Sequence, residues 1–394
     1  MCADRTLFRR PRTPTTHWTH AQLDALRQVT DPPADAVIAD HFSMLTSSGA
    51  PHDLLTDLMN HRIARPTLTS SIESVPQRLL DELERRAPLP VVEPGRVLAG
   101  QRVFQDHGPE ILMILCCYSL PMAYGAANGS HVLHETGYLE NRVIRRLVET
   151  TQMVVDVMKV GGLTPAGDGL RSAHEVRLMH AAIRYLIEHR EARWNPAWGR
   201  PINQEDLAGT LMTFSYVVLD GLSKLGINLD RTAQEAYLAA WRSIGRAMGV
   251  QEVLLPSDME AAQGLTWFIY DRQMKGSDTG RDLTRALLEA MQSNLPLLMR
   301  PLCPSMMRLF VEPQMASALR IPSNPLLDTA TCVMNALYGA LDNALHIAPL
   351  GLGGYRAFSH AVLELITRIG RGHDQRARFE IPTQLREYWR SQAR

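Results

Sequence analysis

Helical periodicity is the feature that most limits what this chain can fold into. Along nearly all of its 394 residues, apolar side chains recur at intervals of three and four, and no convincing run alternates apolar with polar residues as a strand does. A glycine pair at 161–162 and a proline-rich connector at 87–95 are typical breaks between the periodic segments. The sequence therefore predicts an all-α protein, without an internal repeat of fixed period.

The predicted helices divide the chain into three parts. Thr19 and Gln22 have the spacing of a capping box, which marks the start of the first helix. We predict an N-terminal helical extension over residues 1–95, a core over 96–300, and C-terminal helices over 301–394 that pack on the core as part of the same domain. The predicted helices lie near residues 21–29, 34–47, 51–60, 74–86, 97–107, 109–125, 140–160, 172–190, 203–225, 230–249, 256–274, 280–298, 324–346 and 355–371.

Charge and cysteine content exclude several classes of function. Lys and Arg number 41, as do Asp and Glu, so the net charge is zero and nucleic acid is not an expected partner. The five cysteines are scattered and include no Cys-x-x-Cys pair, so we expect neither a disulfide framework nor a zinc site, and no covalent haem attachment. These residues are Cys2, Cys116, Cys117, Cys303 and Cys332.

No segment has the pattern of a leader or a membrane span. The basic run at residues 9–12 is not followed by an apolar stretch, as it would be in a signal peptide. The longest uncharged stretch, 111–130, is interrupted by Pro121 and Gly125, which favours a buried helix and a loop. We therefore expect no transmembrane segment, and a cytoplasmic protein as the chain is written, or a secreted one if its N-terminus has been trimmed.

A histidine lies on the apolar face of the helix predicted at 172–190. Val176, His180 and Ile183 recur at helical spacing, so the His180 ring points where the core is expected. A neutral imidazole in apolar surroundings can bind a metal, and the small residues 181–182 leave room beside it for a flat group such as haem. The alternative is a buried histidine with an ordinary structural role, which is the commoner arrangement.

A second group of polar residues shares one face of the helix predicted at 140–160. Arg146, Glu149, Thr150 and Met153 are related by steps of three and four residues. One interpretation is a surface ion pair between Arg146 and Glu149. The other is a polar patch above a cofactor, which orients bound oxygen or holds a propionate.

A zinc hydrolase is a weaker alternative. His174-Glu175 followed by His180 superficially resembles the His-Glu-x-x-His motif of zinc proteases. However, two residues six positions apart differ by about 240° around a helix, so these histidines cannot hold one ion from a single face. His134-Glu135 has no histidine four residues further on.

The order and spacing of these residues resemble those of the latex clearing proteins, or rubber oxygenases, and the wider haem-oxygenase domain family around them. That family carries Arg-x-x-Lys-Thr on one helix and an axial histidine on the next. This chain has Arg146-Leu147-Val148-Glu149-Thr150, followed by His180 at the family's interval. The resemblance covers about residues 95–275, and its other matching stretches are 119–124, 161–169, 213–219 and 241–258.

The resemblance implies a globin-like helical core that holds haem b non-covalently, with additional N- and C-terminal helices. By position, His180 would be the axial iron ligand, Arg146 would support the pocket or a propionate, and Thr150 would be a polar residue near bound oxygen. Thr213 is a weaker candidate for the cofactor wall. Glu149 stands where the family has a lysine that can cap the iron, so a lysine-capped resting state is not expected.

The implied activity is a dioxygenase reaction on polyisoprene or a related isoprenoid, giving aldehyde and ketone products. A base is also implied, and His131, His134, Glu135, Glu140 and Glu149 all remain candidates for it. The expected partners are a hydrophobic alkene and oxygen, and we expect a monomer. The 18 methionines suit a deformable apolar tunnel, although flexible core packing explains them equally well. The alternatives are a non-catalytic haem-binding or sensor protein of the same fold, and an oxygenase that acts on a small terpenoid or an unsaturated lipid.

Overall fold

The computed structural model describes residues 17–45, 75–87, 94–135, 143–165, 167–189, 194–333 and 361–362. Its helices are α1 (His20–Leu26), α2 (Pro32–Leu45), α3 (Val75–Arg86), α4 (Pro94–Ile114), α5 (Leu120–Gly125), α6 (Ala127–Glu135), α7 (Val143–Met158), α8 (Asp168–Glu188), α9 (Gln204–Phe214), α10 (Tyr216–Lys224), α11 (Arg231–Ala247), α12 (Met259–Gln273), α13 (Asp278–Asn294), α14 (Leu302–Phe310) and α15 (Pro313–Ala318). Residues 325–333 are also helical. Within these ranges there is no β-strand, and a single isolated bridge pairs Ala126 with Met274. The all-α prediction is confirmed.

Several local predictions can be compared with the observed helices. The capping box is present, since the Gln22 amide donates to Thr19 Oγ1 at 3.2 Å and the Thr19 amide donates to Gln22 Oε1 at 2.8 Å. The single helix predicted at 203–225 is wrong, because the backbone breaks at Ser215, where φ is −107° and ψ is −86°. The helix predicted at 51–60 lies outside the described residues, as does most of the one predicted at 355–371. Of the helix predicted at 324–346, residues 325–333 are described and helical, and the rest lies outside the described residues.

Three short helices were not predicted, namely α6, α14 and α15. Pro304 and Pro313 had suggested an irregular segment, but both lie in the first turn of a helix, where the missing amide hydrogen costs little. The proposed division at residues 95 and 300 stays a prediction, as does the monomeric state.

A kinked helix runs through the centre of the fold. α4 bends near Pro109, with His107 at φ −126° and ψ 23°, and continues into a buried π-helical turn at Leu115–Ser119. Gly100 lets α4 approach α11 closely, because a Cβ there would overlap the carbonyl oxygen of Ala236. None of the helices in the described ranges is long and apolar enough to span a bilayer.

The N-terminal helices α2 and α3 pack on the outer side of α8. They share a separate apolar cluster with that helix, whose members are Ala34, Val37, Ile38, Phe42, Leu79, Leu80, Leu83, Leu178, Ala181 and Ala182. The prediction that Ala181 and Ala182 leave space beside the His180 ring is therefore wrong. These two residues follow His180 by one and two positions and so point around the helix towards α2, where their small size allows close packing.

A glycine-rich connection fixes α7 against α8. A Cβ on Gly169 would overlap the carbonyl oxygen of Asp156, so the start of α8 can lie directly on the last turns of α7. The Gln101 side chain donates to the carbonyl of Val157 at 2.9 Å and accepts from the amide of Gly161 at 3.1 Å, which satisfies the end of α7. The positions of the polar residues on α7 relative to His180 follow from this packing.

A buried polar group joins the π-helical turn to α10 and α14. The Tyr118 hydroxyl donates to Asp220 at 2.9 Å, and Lys224 Nζ lies 2.9 Å from the same carboxylate. Lys224 also donates to the carbonyl of Phe310 in α14 at 2.7 Å. The Asp220 side chain is fully buried, so the ammonium group of Lys224 compensates a charge that is out of reach of water.

Three described cysteines are free thiols and a fourth forms a disulfide bond, which the sequence did not predict. Cys116, Cys117 and Cys303 are free and buried, and burial raises the pKa of Cys116 and of Cys303 to about 12, so both are unreactive thiols at neutral pH. Cys332, in contrast, is disulfide-bonded. The scattered spacing gave no indication of that bond.

Candidate functional site

A largely apolar cavity of about 310 Å³ lies between helices α5 to α9, α11 and α12. This volume is at the lower end of the range for small-molecule and cofactor sites. Six methionines contribute to its wall, namely Met122, Met153, Met179, Met212, Met248 and Met274. Unbranched thioether side chains adapt their shape easily, so this wall can follow the outline of a flexible apolar ligand.

His180 lies on this wall, in the middle of α8. Val176 and Ile183 line the same cavity on either side of it, as the helical spacing predicts. The ring is partly buried, and its Nδ1 atom is inaccessible to solvent. An imidazole in this position can present a ring nitrogen to a ligand inside the protein. Its role as an iron ligand stays a prediction.

Helix α7 contributes the second group of predicted residues. Glu149, Thr150 and Met153 all line the cavity, so the shared helix face identified in the sequence is turned towards the same space as His180. The side chain of Arg146 lies outside what the structure describes, and its predicted role is untested. Glu149 lines the cavity, and its predicted ion pair with Arg146 stays untested.

Thr213 lies near the end of α9 and also lines the cavity. Its hydroxyl donates to the carbonyl of Thr210 at 2.8 Å, and its own carbonyl accepts from Ser119 at 2.6 Å. The Thr213 hydroxyl can therefore only accept a further hydrogen bond from a ligand while this arrangement holds. These bonds join α9 to the π-helical turn and give the wall a fixed position there.

The structure shows which of the described candidate bases line the cavity. His131 does not line the cavity, since its ring stacks on Trp198 with centroids 3.7 Å apart. The side chains of His134 and Glu135, and the whole of Glu140, lie outside the described residues. Of the two candidates whose side chains the structure describes, Glu149 lies on the cavity wall and His131 does not.

Two carboxylates on this wall were missed in the sequence. Glu205 and Asp206, in the first turn of α9, both line the cavity. The signal that could have identified them is the sequence Asn203-Gln204-Glu205-Asp206 ahead of an apolar helix. Charged side chains in that position are usually read as helix-capping residues, which hid their second role.

A network of buried charges holds these carboxylates. Arg27, which directly follows α1, donates to Asp206 at 3.0 Å and to Glu205 at 3.3 Å, and Arg272 of α12 donates to Glu205 at 2.8 Å. Asn203 donates to Asp206 at 2.7 Å. Burial raises the pKa of Asp206 to about 6, although Arg27 and Asn203 favour its charged form. Two guanidinium groups thus hold the two carboxylates beside the cavity, and Arg272 also pairs with the exposed Asp24.

The zinc alternative finds no support among the described residues. No three His, Cys, Asp or Glu side chains in those ranges come together as ligands of an ion. His174 does not line the cavity and is 2% exposed, and burial lowers its pKa to about 4. Its ring is therefore uncharged at neutral pH, and its 3.6 Å contact with the exposed Glu84 is not an ion pair.

The fold and the cavity together define a class of protein. This is a helical protein with an internal, methionine-rich ligand cavity, in which one histidine and a few polar groups face an apolar space. Residues 107–343 match the family model for the catalytic domain of ER-bound oxygenases mpaB/B' and rubber oxygenases. Since this match covers more than half of the chain, the chain belongs to that oxygenase family.

Two individual proteins are similar to this chain. A rubber oxygenase from Streptomyces sp. (strain K30) is 24% identical over 190 residues, which is 46% of this chain and 46% of that protein. The chain thus matches about half the length of this curated relative. The solved structure of latex clearing protein in its closed state superposes with a TM-score of 0.71 at 19% identity, over 86% of this chain and 91% of that one. That similarity establishes the fold.

Proposed function

We propose that this protein is a haem b-dependent oxygenase that cleaves the double bond of an isoprenoid alkene with molecular oxygen. The observation that carries the proposal is the position of His180, which lies on the wall of an apolar cavity that Glu149 and Thr150 also line. Membership of the oxygenase family makes oxygen chemistry the expected use of such a cavity.

The residues of the cavity suit a haem. A haem would need a protein ligand for its iron, apolar surroundings for its macrocycle and a few polar groups beside it. His180 can provide the ligand, and the methionines and other apolar side chains around it provide the surroundings. Arg146, on α7, is the proposed partner of a propionate, and Thr213 is a proposed part of the cofactor wall.

The cofactor would supply the binding and activation of oxygen, and the other tasks fall to this chain's own side chains. The apolar wall excludes water and holds the hydrocarbon part of the substrate. The Thr150 hydroxyl can donate a hydrogen bond and so orient a polar group in the cavity. Glu149, the described candidate base on the wall, can accept a proton there.

In the proposed reaction one carbon–carbon double bond breaks and two carbonyl groups form. Both atoms of one oxygen molecule enter the products, so an alkene gives one aldehyde and one ketone without a further oxidant or reductant. Polyisoprene is one candidate substrate, because the similar Streptomyces protein is a rubber oxygenase. A small isoprenoid is the other, because the cavity, with a volume of about 310 Å³ and a lining from seven helices, is small.

The test begins with an absorption spectrum of the purified protein before and after dithionite. We expect a Soret band, which His180→Ala should abolish and His189→Ala should retain, because His189 is exposed at the end of α8. Normal haem content in His180→Ala would eliminate the assignment of His180 as the residue that holds the haem. Oxygen uptake with an isoprenoid alkene, and carbonyl analysis of the products, then test the reaction. Bound haem without any oxygen uptake would favour the non-catalytic haem-binding alternative.

A further inference from the structure

One wall of the apolar cavity carries a buried carboxylate that the proposed reaction does not use. Asp206 lines the cavity at the first turn of α9, and its side chain is 14% exposed. The neighbouring Glu205 is fully buried and takes hydrogen bonds from both Arg27 and Arg272. Both carboxylates line the cavity, and Asp206 is the less buried of the two.

The hydrogen bonds of Asp206 leave it able to accept more. Arg27 bonds one of its oxygens at 3.0 Å and Asn203 bonds the other at 2.7 Å. A carboxylate offers about four acceptor positions, so roughly two remain for a ligand, counting the described neighbours. A pure hydrocarbon pressed against Asp206 would remove water from those positions without replacing its hydrogen bonds, which is unfavourable.

The surrounding charges determine which head group fits. A cationic amine would come close to the Arg27 guanidinium, which lies 3.0 Å from the Asp206 carboxylate. An acid or a phosphate would meet the carboxylates of Asp206 and Glu205 directly. A neutral hydroxyl avoids both repulsions and can donate a hydrogen bond to Asp206. Sites that bond a substrate hydroxyl discriminate strongly against analogues that lack it.

We propose that Asp206 determines substrate specificity, and that the substrate is a neutral unsaturated alcohol whose hydroxyl donates to the Asp206 carboxylate. This inference rests on the proposed function and narrows it. The isoprenoid chain lies against apolar side chains of the cavity, and the hydroxyl lies beside Asp206 in the first turn of α9. An unsaturated fatty acid and a head-group-free hydrocarbon are both poorer ligands.

The test compares four ligands that share one carbon skeleton and differ in their head group. They are geraniol, its deoxy hydrocarbon analogue, geranylamine and geranic acid. Equilibrium dialysis against the haem-loaded protein measures each affinity without turnover. We expect geraniol to bind at least about ten-fold more tightly than the other three, since a hydrogen bond to a charged group has about that effect on affinity. Asp206→Leu should remove this preference, and Asp206→Asn should reduce it.

Asp24→Asn is the matched control. Asp24 bonds Arg272 in the same charge network at 2.6 Å, but it is exposed and does not line the cavity. If the network had only a structural role, Asp24→Asn and Asp206→Asn would have the same effect on the preference for geraniol. The inference requires that only Asp206→Asn reduce this preference. If Asp206→Leu does not fold, as judged by circular dichroism, Asp206→Asn decides the question.

Three results would overturn the inference: equal binding of geraniol and its hydrocarbon analogue, tighter binding of the amine or the acid, or an unchanged preference in the Asp206 variants. Oxygen uptake measured on the same samples separates this inference from the proposed function. A preference for geraniol without any turnover would refute the oxygenase proposal and leave the role of Asp206 in binding intact. Turnover without a preference for geraniol would support the oxygenase proposal and refute the role of Asp206 in specificity.

Discussion

Gly169, at the start of α8, lies directly on the carbonyl oxygen of Asp156 near the end of α7. This contact sets how the two helices cross, and the crossing places Thr150 and His180 on the same cavity. The glycine is thus a structural requirement of the site, although it does not line the cavity itself.

Substituting Gly169 with alanine should therefore disturb the cavity. The added methyl group overlaps backbone, which cannot move aside as a side chain can, so we expect a loss of about 1–3 kcal/mol in the free energy of unfolding. Urea denaturation measures this loss. Gly95→Ala is the control, because nothing lies near a Cβ at that position and alanine favours the helix. Equal stability of the two variants would refute the close approach of α7 and α8.

Thr150 is expected to matter for turnover and not for the fold. Thr150→Ala removes a hydroxyl from the cavity wall, so the rate of oxygen uptake should fall by about ten-fold or more while haem content stays normal. Thr150→Ser should recover most of the rate. Thr151→Ala is the matched control, because the Thr151 hydroxyl is bonded to the Leu147 carbonyl and does not line the cavity. Full activity in Thr150→Ala would remove this residue from the site.

His174 should make the protein sensitive to acid. Its pKa is about 4 in the folded protein, whereas an unfolded histidine has a pKa near 6.5. Between these values the unfolded chain binds more protons, so the free energy of unfolding should fall as pH drops from about 7 to 4, by up to about 3 kcal/mol.

Denaturation at several pH values, with wild type and His174→Leu side by side, measures this contribution. The difference between the two curves isolates His174 from other groups, including Asp206, whose raised pKa has the opposite effect between about 4 and 6. Parallel curves for the two proteins over this range would show that His174 is not buried in the neutral form.

Lys224 compensates a fully buried carboxylate. Lys224→Met leaves the Asp220 charge without its ammonium partner and should cost about 3–5 kcal/mol of stability. Lys159→Met is the comparison, because the Lys159–Asp168 pair is partly exposed and should contribute at most about 1 kcal/mol. Adding Asp220→Leu to Lys224→Met should restore part of the loss. A cost below 1 kcal/mol for Lys224→Met would contradict the compensation.

Periodicity correctly predicted which residues share a helix face. On α8 these residues are Val176, His180 and Ile183, and on α7 they are Glu149, Thr150 and Met153. It could not predict what each face contacts. Ala181 and Ala182 illustrate this limit, because their small size suits α2 as well as it suits a cofactor. That choice depends on the packing of helices remote in sequence, which local spacing does not encode.

Other features depended on contacts between distant segments. The break at Ser215 interrupts a continuous apolar pattern, and no glycine or proline marks it. Asp206 was missed because a carboxylate in a first helical turn has a local explanation that accounts for it completely. Only its proximity to Arg27, almost 180 positions earlier in the chain, shows that it belongs to a buried network.

The six methionines of the cavity wall have a consequence for the lifetime of the protein. Thioethers are readily converted to sulfoxides, which are larger and polar. If oxygen reacts in this space, any reduced oxygen species that escapes the reaction forms close to these sulfur atoms. Sustained turnover should therefore oxidise these methionines and make the cavity wall more polar. The enzyme would then lose activity gradually through damage to its own substrate cavity.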